Sequence, residues 1–163
     1  MALRRNAGKV KKGADEPSFS YSIETIKTDI SYIVFEESPT LLSKLEKLYS
    51  IIDFKKGGIL NIIQGNYEVA IITNSKYKEK VLDILYKEKV FETVDDLVSI
   101  SLTYSKNFLF QPGILYDISR FLAWENINAI DIVLTKTELS LIIGKKDLMR
   151  CYRSLGKFAE NRD

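Results

Sequence analysis

Leu109-Phe110-Gln111-Pro112-Gly113-Ile114-Leu115 opens the stretch, ending at Ile143, whose reading decides the fold. Pro112 suits the first position of a helix, where its missing N–H costs nothing, and Gly113 keeps the incoming loop free of a side chain. Apolar Ile114, Leu115, Ile118, Phe121 and Leu122 then recur at spacings that draw one stripe down a helix of about three turns. Asn126 and Asn128 end it, and β-branched Ile130, Ile132 and Val133 open a strand. With the apolar run from Leu139 to Ile143, the order is strand, loop, helix, hairpin.

Upstream, the same order recurs. Ile30 to Phe35 form a strand, Ser38 is an N-cap and Pro39 the first residue of a helix whose stripe is Leu41, Leu42, Leu45, Leu48, Tyr49 and Ile52. Gly57-Gly58 ends the loop that follows. Ile59 to Ile63 and Tyr67 to Thr73 are strands joined by the turn Gln64-Gly65-Asn66. Asn74 or Ser75 caps a helix with Tyr77, Val81, Ile84 and Leu85 inward, and Val90 to Val94 is a short edge strand before an acidic turn, Asp95-Asp96. Residues 97–155 repeat most of this, ending in a helix with Leu148, Cys151, Tyr152 and Leu155 inward. The chain reads as an internal duplication of about 65 residues per unit. Its second copy lacks a fourth strand. An orphan strand from Ser18 to Thr25, with Phe19, Tyr21 and Ile23 alternating against polar neighbours, is expected to cross over and fill that vacant edge.

Gln111-Pro112-Gly113-Ile114-Leu115, a helix of about a dozen residues, Asn126-Ile127-Asn128 and a hairpin strand beginning Thr137-Glu138-Leu139-Ser140 together resemble the ACT domain. The chain looks most like the tandem ACT domains at the regulatory end of aspartate kinases, and like small archaeal proteins built from two such domains. The resemblance implies an α+β protein of two ferredoxin-like (βαββαβ) ACT-type units, with antiparallel sheets covered by helices on one face. Four segments are expected: a basic tail and linker over 1–17, an extra strand over 18–28, a first unit over 29–96 and a second over 97–163. The resemblance also implies a small effector, commonly an amino acid, held at a homodimer interface. Its site residues would be Gln111, Pro112, Gly113, Ile114 and Leu115, with Asn126, Ile127 and Asn128 approaching from the second strand. The sequence departs from the family at Phe110, where Asp or Asn is frequent, and at Thr40, which stands in the first unit where Gly is expected.

Composition narrows the chemistry. The 163 residues are 45% hydrophobic, a globular figure, and no apolar run approaches the roughly 18 residues of a membrane span. No secretory h-region follows Met1, so a cytoplasmic protein is expected. One cysteine cannot form an intrachain disulfide, and the absence of histidine removes the commonest metal ligand and general base. No phosphate loop, Cys-x-x-Cys pair or nucleophile elbow is present. No catalytic residue, metal or cofactor is expected.

Arg4, Arg5, Lys9, Lys11 and Lys12 carry five of the 24 bases, leaving 19 against 22 acids, a formal −3 for the rest. The tail is a solvated arm or an anchor for nucleic acid or membrane; alternatively, Met1-Ala2-Leu3-Arg4-Arg5 is the remnant of a helix leading to an output domain. Asp95-Asp96 and Glu36-Glu37 read as structural acids, and Cys151 as a buried apolar side chain. Phe121 and Trp124 read as core, with a partner anchor as the alternative.

Two function classes follow. The first is an allosteric amino-acid-binding module that regulates as a dimer. The alternative is a nucleic-acid-binding ferredoxin-like protein or a structural partner-binding module. RNA readers of this shape carry aromatics on exposed central strands. Here the strands taken as central, Ile59 to Ile63 and Ile130 to Leu134, are largely aliphatic, with only Asn61 and Asp131 polar and no aromatic or basic residue.

Overall fold

The computed structural model describes residues 21–104 and 113–160. Two long strands form its centre, β1 (Tyr21–Glu36) and β4 (Val90–Tyr104), antiparallel from the Tyr21–Tyr104 pair to the Phe35–Val90 pair. A hairpin of β2 (Leu60–Gln64) and β3 (Glu68–Asn74) adds to β1. A second, β5 (Ala129–Leu134) and β6 (Glu138–Gly144), adds to β4. The result is one six-stranded antiparallel sheet in the order β2-β3-β1-β4-β6-β5. Ile30 to Glu36 of β1 pair with β3, whereas Tyr21 to Lys27 lie against Ser99 to Tyr104 of β4.

The joints inside the long strands differ from the sequence reading. Strands expected at 18–25 and 30–35 are one strand as far as they are described, and so are those expected at 90–94 and 98–104. Each passes through an aspartate in the left-handed region, Asp29 (φ 58) and Asp96 (φ 55), with register shifts between Lys27 and Ile30 and between Ile30 and Tyr32. Aspartate tolerates that conformation better than most residues, and an extra residue lets a strand bend without leaving its ladder. Asp95-Asp96 is therefore a bulge rather than a turn, and Val90 to Val94 run through the middle of the sheet rather than along an edge. Conversely, Ile59 to Ile63 and Ile130 to Leu134 fall on the outermost strands.

Alternation divides the apolar residues between two faces. On the helix-covered face, Ile33, Phe35, Val69 and Ile71 meet Leu41, Leu48, Val81 and Leu85; further along, Val98, Ile100, Leu102, Leu139, Leu141 and Ile143 meet Ile118, Phe121, Cys151 and Leu155. The other face curls over a smaller cluster, Ile30, Ile72, Leu97 and Ile142, which no sequence pattern had marked. Tyr32 stands beside it, its hydroxyl pushed up by burial and by Asp131, Glu68 and Glu92.

The helix expected from Pro39 to Ile52 is two, α1 (Pro39–Leu45) and α2 (Leu48–Ile51). Ser38 Oγ accepts from the N–H of Leu41, as its N-cap position requires, and Gly57 (φ 77) turns the following loop. Asn74 is the N-cap of a 3₁₀ turn, Ser75–Tyr77, but makes no side-chain capping bond, and that turn leads into α3 (Lys78–Ile84). A matching turn, Lys145–Asp147, leads into α5 (Leu148–Glu160). Tyr152, expected inward, is 45% exposed. The hairpin turns repeat as well: Gly65 N–H donates to Glu68 O and Thr135 N–H to Glu138 O, both at 2.8 Å.

Because β1 sends side chains into both helix-side cores and pairs with β4 along its length, the two cores are expected to unfold together. Leu48→Ala and Leu155→Ala, one in each core, should each cost about 2–5 kcal/mol and lower the midpoint of a single denaturation transition. Two separated transitions would contradict the shared sheet.

Candidate functional site

Helix α4 (Ile114–Trp124) carries the nominated residues at its two ends. It begins later than the Pro112 start read from the sequence: Gly113 is the N-cap, and Gln111 and Pro112 lie outside the described residues. Gly113 has φ 101, and a Cβ there would meet nothing among the described residues within 4 Å, so the position favours glycine for its conformation. Among the described residues no side chain caps this helix start, which leaves N–H groups at the positive end of the helix dipole. Ile114 turns into the core, whereas Leu115 is half exposed.

The other end closes in a Schellman motif. Asn126 (φ 52) donates its N–H to Ala123 O at 3.1 Å, and Ile127 donates to Leu122 O at 2.8 Å. Asn126 thus supplies the left-handed residue that the helix end needs, and the Ile127 side chain is buried beneath α4. Asn128 is exposed. A helix of this length spans about 16 Å, so one chain does not bring Gly113, Ile114 and Leu115 together with Asn126, Ile127 and Asn128.

Asn126 and Asn128 border a cleft of about 750 Å³ at the joint of the long strands. Its other walls are the bulge at Asp95-Asp96 and the turn from Gly144 to Asp147. Asp147 is buried and ion-paired to Arg150, and Lys145 reaches Asp29 at 3.4 Å. Asp95 accepts hydrogen bonds from Lys78 at 2.6 Å and Ser31 at 2.7 Å, and these hold its carboxyl below the usual carboxylate range. Asp96 and Lys146 are exposed and have no ion pair or side-chain hydrogen bond among the described residues. Sequence reasoning missed Asp96, Gly144, Lys146 and Asp147 as site residues. The available signal was the difference between copies: Asn74-Ser75-Lys76-Tyr77 stands where the second copy has Gly144-Lys145-Lys146-Asp147.

Elsewhere the chemistry is quiet. Among the described residues no cluster of His, Cys, Asp and Glu could hold a metal, and no helix is long and apolar enough to cross a membrane. Cys151 is fully buried, its thiol pushed up to about 12 by burial and by the nearby Asp147 and Glu125. Phe121 is buried, but Trp124 is 79% exposed rather than core, with the Arg120 guanidinium 5.4 Å from its ring.

Two outcomes follow. Asp95 titrates lower folded than unfolded, so its stabilisation is complete above the unfolded value of about 4 and lost as pH falls below it. Asp95→Asn should therefore flatten the acid side of a Tm-versus-pH profile below about pH 4; an unchanged slope would show that the Lys78 and Ser31 contacts do not act in solution. A thiol reagent at pH 8 should label Cys151 only after denaturant is added, and rapid labelling of the folded chain would contradict its burial.

No protein-family model matches the sequence, and no curated protein matches it. Solved structures do. The regulatory subunit of aspartate kinase from Thermus thermophilus, in its ligand-free form, is 15% identical with a TM-score of 0.64; the match covers 82% of this chain and 94% of that one. Clostridium acetobutylicum aspartate kinase is 14% identical with a TM-score of 0.67, over 92% of this chain and 36% of the kinase. Escherichia coli aspartokinase III, in complex with lysine and aspartate in the T-state, is 13% identical with a TM-score of 0.56, over 91% of this chain and 34% of the other. In fold, the chain is an ACT-type, ferredoxin-like α+β protein of the kind found in the regulatory subunits of aspartate kinases.

Proposed function

We propose that this protein is a non-catalytic regulatory module that binds a small effector, an amino acid, and acts as a homodimer. The observation that carries the reading is its likeness to a regulatory subunit that it covers almost end to end, with no kinase portion in the match. The lysine and aspartate named with the Escherichia coli neighbour point to the effector class. At Gly113 the uncapped helix start offers N–H groups to a carboxylate, with Leu115 half exposed beside it. Since α4 holds Asn128 a helix length away, a site using both ends needs two protomers, the helix start of one facing the Asn126–Asn128 loop of the other. Catalysis finds little support: the chain has no histidine, and its thiol is buried and held protonated.

In this reading the chain comprises a basic tail over 1–17, a strand over 18–28 that completes the second unit, and ACT-type units over 29–96 and 97–163. It works in the cytoplasm on a fused or associated output domain.

A thermal-shift screen against the twenty amino acids tests it. A ligand at a hundred times its dissociation constant adds about 2.7 kcal/mol, a rise of several degrees for a protein of this size. Gly113→Ala and Asn128→Ala should each abolish the rise while the unliganded protein stays folded. A confirmed dimer whose Tm no amino acid raises at millimolar concentration would refute the reading.

A further inference from the structure

We propose that the cleft at the Asp95-Asp96 bulge is itself a binding site for a small dipolar molecule bearing both a carboxylate and an ammonium group, the α-amino-acid class. The inference takes its ligand class in common with the proposed function but assigns it to a different place from the Gly113 helix start.

The two copies of the fold differ at this place in a way that opens space. In the first copy, Asn74 Oδ1 accepts the Ile59 N–H at 2.8 Å and the Tyr77 hydroxyl accepts the Asp53 N–H at 3.1 Å, so an amide and a phenol fill the corner beside the 3₁₀ turn. In the second copy the corresponding residues are Gly144 and Asp147. Gly144 has φ −62 and ψ 138, which any residue adopts, so the backbone does not require glycine there. A Cβ on it would come no nearer than 3.8 Å to Asp147 Oδ2 and Lys146 Cγ. What glycine provides at this position is room, and the room is the cleft.

Its lining is charged but balanced. Asp95, Asp96 and Asp147 face the cleft, and so do Lys145, Lys146 and Arg150. Four of these six are engaged within the protein, Asp95 with Lys78, Lys145 with Asp29, and Asp147 with Arg150. Asp96 and Lys146 remain, one charge of each sign without an ion pair among the described residues. A simple anion or cation would satisfy one of them and meet the other as a like charge, whereas a dipolar molecule matches both. The Asn126 and Asn128 side chains add donors and acceptors at the rim. Since the walls come from the bulge of β4 and from the turn between β6 and α5, an occupant would tie the bend of the long strand to the second half of the protein.

Backbone amide NMR of the full chain, titrated with each of the twenty amino acids, tests the assignment. A binding amino acid should move the amides of Asp96, Gly144 and Lys146 saturably, while its decarboxylated amine and its deaminated acid should not. Lys146→Gln and Asp96→Asn each remove one charged contact and should weaken binding about tenfold or more; Gly144→Asn, which restores the first copy's side chain, should abolish it. Should Gly144→Asn fail to fold, the two charge variants carry the test. Saturable movement confined to Gly113 to Leu115 and Asn126 to Asn128, undiminished in Lys146→Gln and Asp96→Asn, would overturn the cleft and leave the effector reading standing. No movement with any amino acid at millimolar concentration would overturn both.

Discussion

Everything in this fold depends on the antiparallel ladder between β1 and β4, the two strands at the centre of the sheet. Each hairpin attaches to one of them; β1 sends side chains into both helix-side cores, and β4 into the second. A ladder that serves two cores must carry its side chains from one to the other without losing its backbone pairing, and straight strands of this length would twist away from at least one set of helices. The irregularities at Asp29 and Asp96 meet that requirement. Each changes the register once and bends its strand, and the two lie near one another across the ladder, flanking the Ile30–Leu97 pair.

The duplication supplies a common frame, and the differences between the copies supply the chemistry. The hairpin turns use the same hydrogen bond, and Val81 and Cys151 occupy the same buried place in helices that follow the same 3₁₀ turn. Where the copies diverge, the first is the more occupied. Asn74 and Tyr77 bond to the backbone of their own copy, and Gly58 is packed so closely that a Cβ would come within 2.7 Å of Asp53 O. The second copy replaces amide and phenol with glycine and a carboxylate. Small for large at one corner turns a filled core margin into a cleft, the same loss of volume that costs stability when it is made in a sealed interior. Here it opens to solvent, where water and ligands have access.

Much of the architecture was legible from residue types alone. Ser38-Pro39 marks a helix start through an oxygen that can cap and a ring that needs no donor, and the structure uses both. Of the stripe Ile114, Leu115, Ile118, Phe121 and Leu122, all but the half-exposed Leu115 are buried. Local signals failed where tertiary pairing overrules them. Asp95-Asp96 has the composition of a turn, yet the ladder on either side keeps it in a strand. A bulge also shifts the period-two pattern by one residue, so each long strand reads as two short ones. Helix faces were read too broadly as well: Trp124 and Tyr152 sit at the margins of their stripes and turn outward, because apolar spacing fixes the centre of a buried face better than its width. Of the nominated site residues, Asn126 and Ile127 are engaged in ending a helix, a role the same residue types signal equally well. The cleft residues carry no motif, and only aligning the chain with itself exposes them.

The shared ladder also imposes an order in time. Ser22 lies against Thr103, 81 positions further along the chain. At 5–20 residues per second, a ribosome needs roughly 4–16 s to deliver that partner. Throughout that interval the first segment of β1 is an unpaired, half-apolar strand awaiting a place in the sheet. The first set of helices and strands can close meanwhile, but the second half, once made, has an open edge until that early segment docks. The segment of another nascent chain would fit the same edge, so crowded synthesis favours exchange of this strand between copies, and solitary synthesis favours pairing within one chain.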